Sequence, residues 1–110
     1  MKNIIVITGG AGFVGSNLIK LFLKKTQYKI ISIDNYSTGS KKNHIKDKRV
    51  NYVIGDTKNI FNILKKYKKR IKTTFHFGEF ARIYQSFLNM SECIDSNTIG
   101  TNAVFNFCLQ

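Results

Sequence analysis

The chain has 110 residues, enough for one small domain and too few for two, and its 43% of hydrophobic residues excludes wholesale disorder. No apolar stretch approaches the length of a membrane span, so we expect no membrane association. The formal net charge is +12, but fifteen of the eighteen basic residues are lysines. Because nucleic-acid readers rely on arginine forks, we interpret this charge as a solvated surface and expect no nucleic acid as partner.

The predicted elements alternate between strand and helix along the chain. A continuous β-branched run such as Ile4 to Ile7 is typical of a strand buried on both faces of a parallel sheet. Apolar residues at helical spacing, such as Leu18 and Phe22 with lysines nearby, indicate a helix with one buried face. The pattern predicts strands at 4–7, 29–34, 50–54 and 73–77, helices at 16–26, 59–67 and 91–110, and a helical turn near 43–46.

A glycine-rich segment from Thr8 to Gly15 lies between the first predicted strand and the first predicted helix. Gly10, Gly12 and Gly15 satisfy G-x-G-x-x-G, and Gly9 with the last two also satisfies G-x-x-G-x-x-G. In either pattern one glycine permits a sharp turn, one admits a pyrophosphate close to the backbone, and one lets the helix pack tightly on the strand. The N–H groups at the helix start then face the phosphates. We therefore predict a dinucleotide-binding turn rather than a flexible turn without a ligand.

Two acidic residues follow predicted strands. Asp34 ends the second strand, nineteen residues after Gly15, where a carboxylate accepts hydrogen bonds from the adenosine ribose. That carboxylate would oppose a 2′-phosphate by roughly 4 kcal/mol per charge pair at a surface-like dielectric, so we expect NAD rather than NADP. Asp56 has two interpretations that the sequence leaves open: an acceptor for the adenine amino group, or a turn aspartate after Gly55.

These segments occur in the order found in a known family. Residues 8–18 (TGGAGFVGSNL) resemble the opening of extended short-chain dehydrogenases/reductases of the NAD-dependent epimerase/dehydratase family, the UDP-galactose 4-epimerase kind. Residues 34–39, 55–56 and 76–78 resemble its ribose segment, its adenine turn and the end of its fourth strand, and Asn97 with Gly100-Thr101 resembles the start of its long interface helix. The resemblance implies one NAD-binding domain over residues 1–110. Its fold would be a Rossmann-type doubly wound parallel sheet of strand order 3-2-1-4.

The resemblance also implies a set of residues that bind the cofactor. They come from the glycine turn, the segment after the second strand, the turn after the third strand, the segment after the fourth strand and the start of the last helix. The predicted cofactor-binding residues are Gly9, Gly12, Phe13, Val14, Gly15, Asp34, Asn35, Ser37, Thr38, Gly39, Asp56, Thr57, Phe77, Gly78, Glu79 and Asn97. Glu79 departs from the small apolar residues usual there, and we expect it to pair with Arg82 rather than to face the nicotinamide.

The resemblance implies a reaction for which this chain lacks the catalytic pair. In the family a tyrosine takes a proton from a sugar hydroxyl while NAD accepts the hydride, and a lysine four residues later assists the tyrosine. None of the five tyrosines here is followed by a lysine at that spacing. We therefore predict no catalytic residue and an N-terminal fragment that ends before the catalytic pair and the substrate domain. The complete protein would be a cytoplasmic homodimer acting on a nucleotide sugar by epimerisation, dehydration or decarboxylation.

Two other functions compete with this interpretation: a non-catalytic NAD-binding remnant or scaffold, and a basic nucleic-acid-binding module. Neither histidine is expected to act as a catalyst, since His76 ends a buried strand and His44 lies in a basic, solvated loop. Cys93 and Cys108 fit no metal-binding spacing, so we predict reduced core thiols and no metal site.

Overall fold

The computed structural model of the protein describes residues 2–37, 39–78 and 99–109. Strands and helices alternate, as the hydrophobic pattern predicts. In chain order the elements are β1 (Ile4–Thr8), α1 (Phe13–Lys25), β2 (Lys29–Asp34), β3 (Val50–Ile54), α2 (Ile60–Leu64), β4 (Ile71–His76) and α3 (Thr101–Leu109).

The four strands form one parallel sheet in the order β3-β2-β1-β4. β1 occupies the interior, where it pairs with β2 from Ile4 opposite Lys29 to Thr8 opposite Ile33. On its other edge β1 pairs with β4, so that Thr8 lies opposite His76. The predicted strand order of 3-2-1-4 is confirmed. All four strands therefore end at the same edge, and the order reverses direction between β1 and β4, where doubly wound sheets bind ligands.

Helices cover both faces of this sheet, which explains why β1 is buried throughout and apolar at its first four positions, before the polar Thr8. Alternate side chains of a strand point to opposite faces. One face packs Ile4, Val6 and neighbours against α2 and α3, including Leu64 and Phe107. The opposite face packs Ile5 and Ile7 against α1, through Ile19 and the partly buried residues Leu18, Phe22 and Leu23.

The element bounds differ from the predicted ones in ways that have local causes. α1 begins at Phe13 rather than at residue 16, because Gly12 is its N-cap; the apolar residues that open its first turn, Phe13 and Val14, are exposed and do not belong to the buried face. α2 is shorter than predicted, since 3-10 turns at Thr57–Asn59 and Lys65–Arg70 flank it. The helical turn in the loop after β2 lies at Lys41–Asn43, where the Ser40 hydroxyl caps it.

The last strand and helix also differ from the prediction. β4 spans Ile71–His76 instead of 73–77, and α3 is described over Thr101–Leu109. Positions 91–98 and 110 of the predicted helix lie outside the described residues. The prediction that Cys108 is a core thiol is wrong, because its side chain is exposed on α3, and Cys93 lies outside the described residues. Within the described ranges, no helix is both long and apolar enough to cross a bilayer.

Candidate functional site

A cleft opens at the edge where all four strands end. Its walls combine the turn after β1, the end of β2 and the segments that follow β3 and β4. The lining residues are Gly9, Gly12, Ile33, Asp34, Asn35, Ser37, Gly55, Thr57, Phe77 and Gly78. Eight of these ten are predicted cofactor-binding residues, and Ile33 and Gly55 are additions.

The glycine turn after β1 has a conformation that larger residues would not permit. Gly9 has a φ of +75°, in the left-handed region that L side chains rarely adopt, and its N–H donates to the Ile33 carbonyl at 2.7 Å. A Cβ placed on Gly15 would lie 2.3 Å from Gly9 O and 2.9 Å from the Cα of Gly10. The last glycine of the motif therefore brings α1 against the glycine turn itself, whereas the sequence predicts close packing on the strand.

The start of α1 borders the cleft through Gly12. Gly12 is the N-cap, and it contributes no side-chain hydrogen bond to the first turn. The first N–H groups of a helix have no partner within the helix and attract anions. Among the described residues, a Cβ on Gly12 would meet Gly9 O at 3.3 Å, a tight contact with a backbone atom. Phe13 and Val14, at the start of the helix, are 82% and 56% exposed and do not line the cleft.

The Asp34 carboxylate is held in place by two backbone amides. Its Oδ2 accepts from the Ala11 N–H at 3.0 Å and its Oδ1 from the Tyr36 N–H at 2.8 Å. A carboxylate oxygen has two lone-pair directions, so each oxygen retains one acceptor site after these bonds. The group lines the cleft as a fixed acceptor, which is the chemistry that a ribose diol requires.

The segment after β2 folds back over the glycine turn. The Ala11 carbonyl accepts from Ser40 N at 3.0 Å and from Asn43 Nδ2 at 2.7 Å. Gly39 packs against both residues of this region, because a Cβ there would be 2.7 Å from Asp34 Oδ2 and 3.1 Å from Ala11. The predicted site residue Gly39 therefore packs against the site without lining the cleft.

The side chains of Tyr36, His44 and Tyr52 form an aromatic cluster beside the segment after β2. Tyr36 has a φ of +62°, and its hydroxyl hydrogen-bonds to Nε2 of His44. The imidazole of His44 stacks on the Tyr52 ring at a centroid distance of 3.8 Å. Burial, and then the negative charge of Asp34, raise the pKa of Tyr36, so its phenol stays protonated at neutral pH. The expectation that His44 is merely solvated is wrong, since it is half-buried and contacts both tyrosines.

His76 joins β1, β4 and α3 beneath the cleft. Its Nδ1 lies 2.6 Å from the Thr8 hydroxyl and its Nε2 lies 3.0 Å from the Thr101 hydroxyl. The Thr8 hydroxyl also accepts from the N–H groups of Phe77 and Gly78, both at 3.0 Å. This arrangement fixes the backbone that lines the cleft after β4, and it agrees with the expected packing role of His76.

Asp56 has a local partner in the turn after β3. Its carboxylate caps the 3-10 turn by accepting from Lys58 N at 3.4 Å, while its neighbours Gly55 and Thr57 line the cleft. The structure thus places the turn at the site and shows the capping bond, which is the second of the two interpretations of Asp56.

The remaining predicted site residues divide into two groups. Gly15 is buried and Phe13 and Val14 are exposed, and none of these three lines the cleft. Thr38, Glu79 and Asn97 lie outside the described residues. Among the residues that the structure does describe, no group of histidine, cysteine, aspartate and glutamate side chains could hold a metal ion.

The fold and the site define the class of protein. A parallel sheet of order 3-2-1-4, with a glycine turn and an acidic strand end at its carboxyl edge, is a Rossmann-type domain. The sequence model of the NAD dependent epimerase/dehydratase family matches residues 5–110, and the chain belongs to this family. The predicted family is confirmed, and so is NAD as the cofactor of that family.

Similar proteins agree with this assignment. Over 39 residues the chain is 49% identical to UDP-glucuronic acid decarboxylase 6 of Arabidopsis thaliana, a match that covers 36% of this chain and 11% of the relative. The UDP-Glc/GlcNAc 4-epimerase from Campylobacter jejuni superposes with a TM-score of 0.79 at 28% identity, over 98% of this chain and 34% of the epimerase. The Bordetella bronchiseptica enzyme WbmF, solved in complex with NAD+, shares the fold with a TM-score of 0.87 at 23% identity, over 96% of this chain and 32% of the enzyme. The chain thus spans about a third of the length of these structures.

Proposed function

We propose that the cleft at the carboxyl edge binds NAD through its adenosine and pyrophosphate moieties. The observation that carries this proposal is that two complementary features line one cleft: the N-cap of α1 at Gly12, which has no side-chain cap, and the fixed carboxylate of Asp34. Donors suit the doubly charged pyrophosphate, and an ionised acceptor suits the ribose hydroxyls. The residues present therefore fit the cofactor of the family.

The same carboxylate would select against NADP. Asp34 is tied to two backbone amides, so it has little freedom to swing away from a 2′-phosphate. A 2′-phosphate has no hydroxyl to donate and adds negative charge beside the carboxylate, which costs roughly 4 kcal/mol per charge pair at 4 Å and a dielectric of about 20. The nearby cations Lys41 and Lys42 are exposed, and solvent screens their compensating effect.

For the complete protein we propose nucleotide-sugar epimerase or dehydratase activity. When bound, NAD supplies the hydride acceptor for transient oxidation of a sugar hydroxyl. The chain contributes the binding and orientation of the adenosine half, while the tyrosine–lysine pair and the sugar-nucleotide site would belong to sequence beyond residue 110. The 110 residues alone would then bind NAD without turning over substrate. A cytoplasmic homodimer is part of the same proposal.

The test is a calorimetric titration of the purified protein with NAD, comparing Asp34→Ala with Asp47→Ala. Asp47 is a matched control because its carboxylate also accepts a backbone N–H two residues later, at 2.9 Å, but does not line the cleft. Loss of hydrogen bonds to a charged group costs about 1.5–3 kcal/mol, so Asp34→Ala should bind NAD roughly 10- to 150-fold more weakly. Asp47→Ala should bind like the wild type. Equal affinity of the wild type and Asp34→Ala would refute the ribose assignment.

A further inference from the structure

We propose that Asn43 is a positioning residue for the dinucleotide site, acting through the main chain of Ala11. This inference rests on the proposed NAD site and extends it to a residue outside the cleft. Asn43 does not line the cleft, and its side chain is largely exposed, yet it donates to the Ala11 carbonyl at 2.7 Å across 32 residues of sequence.

The peptide groups of Ala11 connect the two halves of the site. Its N–H donates to Asp34 Oδ2, the group that would bind the ribose. Its carbonyl accepts from Ser40 N and Asn43 Nδ2, both in the loop after β2. Ala11 is fully buried at the centre of the glycine turn, so a shift of this residue would displace the turn and the carboxylate together.

Asn43 bonds to the Ala11 carbonyl through its side-chain amide, whereas Ser40 does so through its main-chain N–H. A carbonyl oxygen can only accept, so the Asn43 amide must present its NH2 group to Ala11. The Ser40 bond comes from the main chain and survives any substitution at position 43. Removing the Asn43 donor therefore loosens the loop on one side while the rest of the contact remains.

Preorganisation is the way in which this bond would influence binding. A ligand that bridges the turn and the carboxylate gains most when both are already in register, because less ordering is required on binding. Loosening the loop should therefore weaken NAD more than it weakens the fold. A bond that only stabilised the fold would lower the unfolding midpoint and leave the affinity of the folded protein unchanged.

The experiment compares Asn43→Gln, Asn43→Ala and Asn43→Asp by NAD titration and urea unfolding at 1 M salt, where the Debye length is about 3 Å. Gln retains a donor on a longer side chain, Ala removes it, and Asp keeps the shape of Asn but turns an acceptor toward the Ala11 carbonyl. We expect NAD affinity to fall in the order wild type, Gln, Ala, Asp, with Asn43→Ala roughly 3- to 10-fold weaker. Asn17→Ala is the matched control, because Asn17 Nδ2 also donates to a main-chain carbonyl, that of Phe13 at 2.8 Å, within α1.

Each outcome bears on the proposal. Weaker NAD binding by Asn43→Ala, with an unfolding midpoint no lower than that of Asn17→Ala, supports it. If Asn43→Asp is the mildest variant, side-chain shape rather than the donor matters, and the proposal is overturned. Unchanged affinity in all three variants overturns the positioning role while the NAD site stands. Absence of NAD binding by the wild type overturns the NAD site and this inference together.

Discussion

The hydroxyl of Thr8 lies 2.6 Å from Nδ1 of His76, and this contact links the carboxyl ends of β1 and β4. The same hydroxyl accepts from the N–H groups of Phe77 and Gly78, so it also holds the backbone that lines the cleft after β4. On its other side the imidazole reaches α3, where Nε2 lies 3.0 Å from the Thr101 hydroxyl.

Replacing Thr8 with valine should destabilise the protein by about 1–3 kcal/mol, because a fully buried hydroxyl that serves three partners is lost without a change of shape. Urea unfolding measures this cost. Thr8→Ser is the control, since it keeps the hydroxyl and loses one methyl group, worth about 0.8 kcal/mol. A larger loss in the serine variant than in the valine variant would show that packing, and not the hydroxyl, holds the strand ends together.

Gly15→Ala and Gly12→Ala should separate stability from ligand binding. At Gly15 the added Cβ would lie 2.3 Å from Gly9 O, a backbone atom that cannot move without shifting the turn. Overpacking of this kind costs about 1–3 kcal/mol of unfolding free energy. At Gly12 the nearest described atom, Gly9 O, is 3.3 Å away and φ is −83°, so alanine needs no left-handed backbone and a smaller shift of the turn than at Gly15.

Gly12→Ala should affect NAD affinity more than stability, whereas Gly15→Ala should mainly affect stability. The methyl group of Gly12→Ala would obstruct the close approach of a pyrophosphate to the helix start, so NAD affinity should fall at least about tenfold. Because alanine is a poorer N-cap than glycine, the unfolding free energy should fall by about 1 kcal/mol or less. Denaturant unfolding and calorimetric titration of both variants check the pair. Normal NAD affinity in Gly12→Ala would place the phosphates elsewhere.

Much of the fold and half of the site chemistry could be predicted because they depend on local sequence. The apolar β1 run, the glycine spacing and Asp34 each reflect a requirement that one short segment meets by itself. The close approach of Gly15 to Gly9, six residues apart, is of this kind. Strand order followed from the family resemblance, and the structure confirms it.

The roles of Asn43 and His44 could not be predicted because they depend on how a loop folds back. Asn43 meets Ala11 across 32 residues of sequence, and no periodicity links the two positions. His44 lies in a lysine-rich segment, which suggests that its side chain is solvated. The loop instead folds back so that its imidazole stacks on the Tyr52 ring of β3. The left-handed conformation of Tyr36, which directs its ring to His44, has no signal in a residue type that rarely adopts it.

Ser32 offers a test of a polar group buried without a partner. Its side chain is 1% exposed, and within the described part of the chain its Oγ makes no hydrogen bond. Ser32→Ala should therefore leave the unfolding free energy unchanged or raise it by up to about 1 kcal/mol, since no bond is lost and a desolvated hydroxyl is removed.

Ser32→Val should have the opposite effect. A Cβ on Gly10 would already lie 1.9 Å from Ser32 Oγ, which shows how closely the turn rests on this side chain. Extra methyl groups at position 32 would push Gly10 outward, lowering the unfolding free energy by about 1–3 kcal/mol and weakening NAD binding. Thermal or urea unfolding distinguishes the two variants, and a destabilised Ser32→Ala would reveal a hydrogen bond that the buried hydroxyl makes.

Asp47 should make the stability of the protein depend on pH in the acid range. Hydrogen bonds from the Arg49 N–H and then from its guanidinium lower the pKa of Asp47 below its ordinary value of 3.8, with the charges of Arg49 and Lys48 acting in the same direction. The same guanidinium donates to the carbonyls of Leu23 and Thr26 at the end of α1, so the ion pair orients a residue that ties the loop before β3 to this helix.

The direction of the pH effect follows from that lowered pKa. The native state binds the proton more weakly than the unfolded state, so the stabilisation is complete above pH 3.8 and is lost as the pH falls through the lower native value. Asp47→Asn removes the charge at every pH. The difference in unfolding free energy between wild type and variant should therefore be constant from pH 7 to 5 and shrink below pH 3.8. Urea unfolding at several pH values measures it, and a difference that grew on acidification would mean that the carboxyl group is bound preferentially in its protonated form.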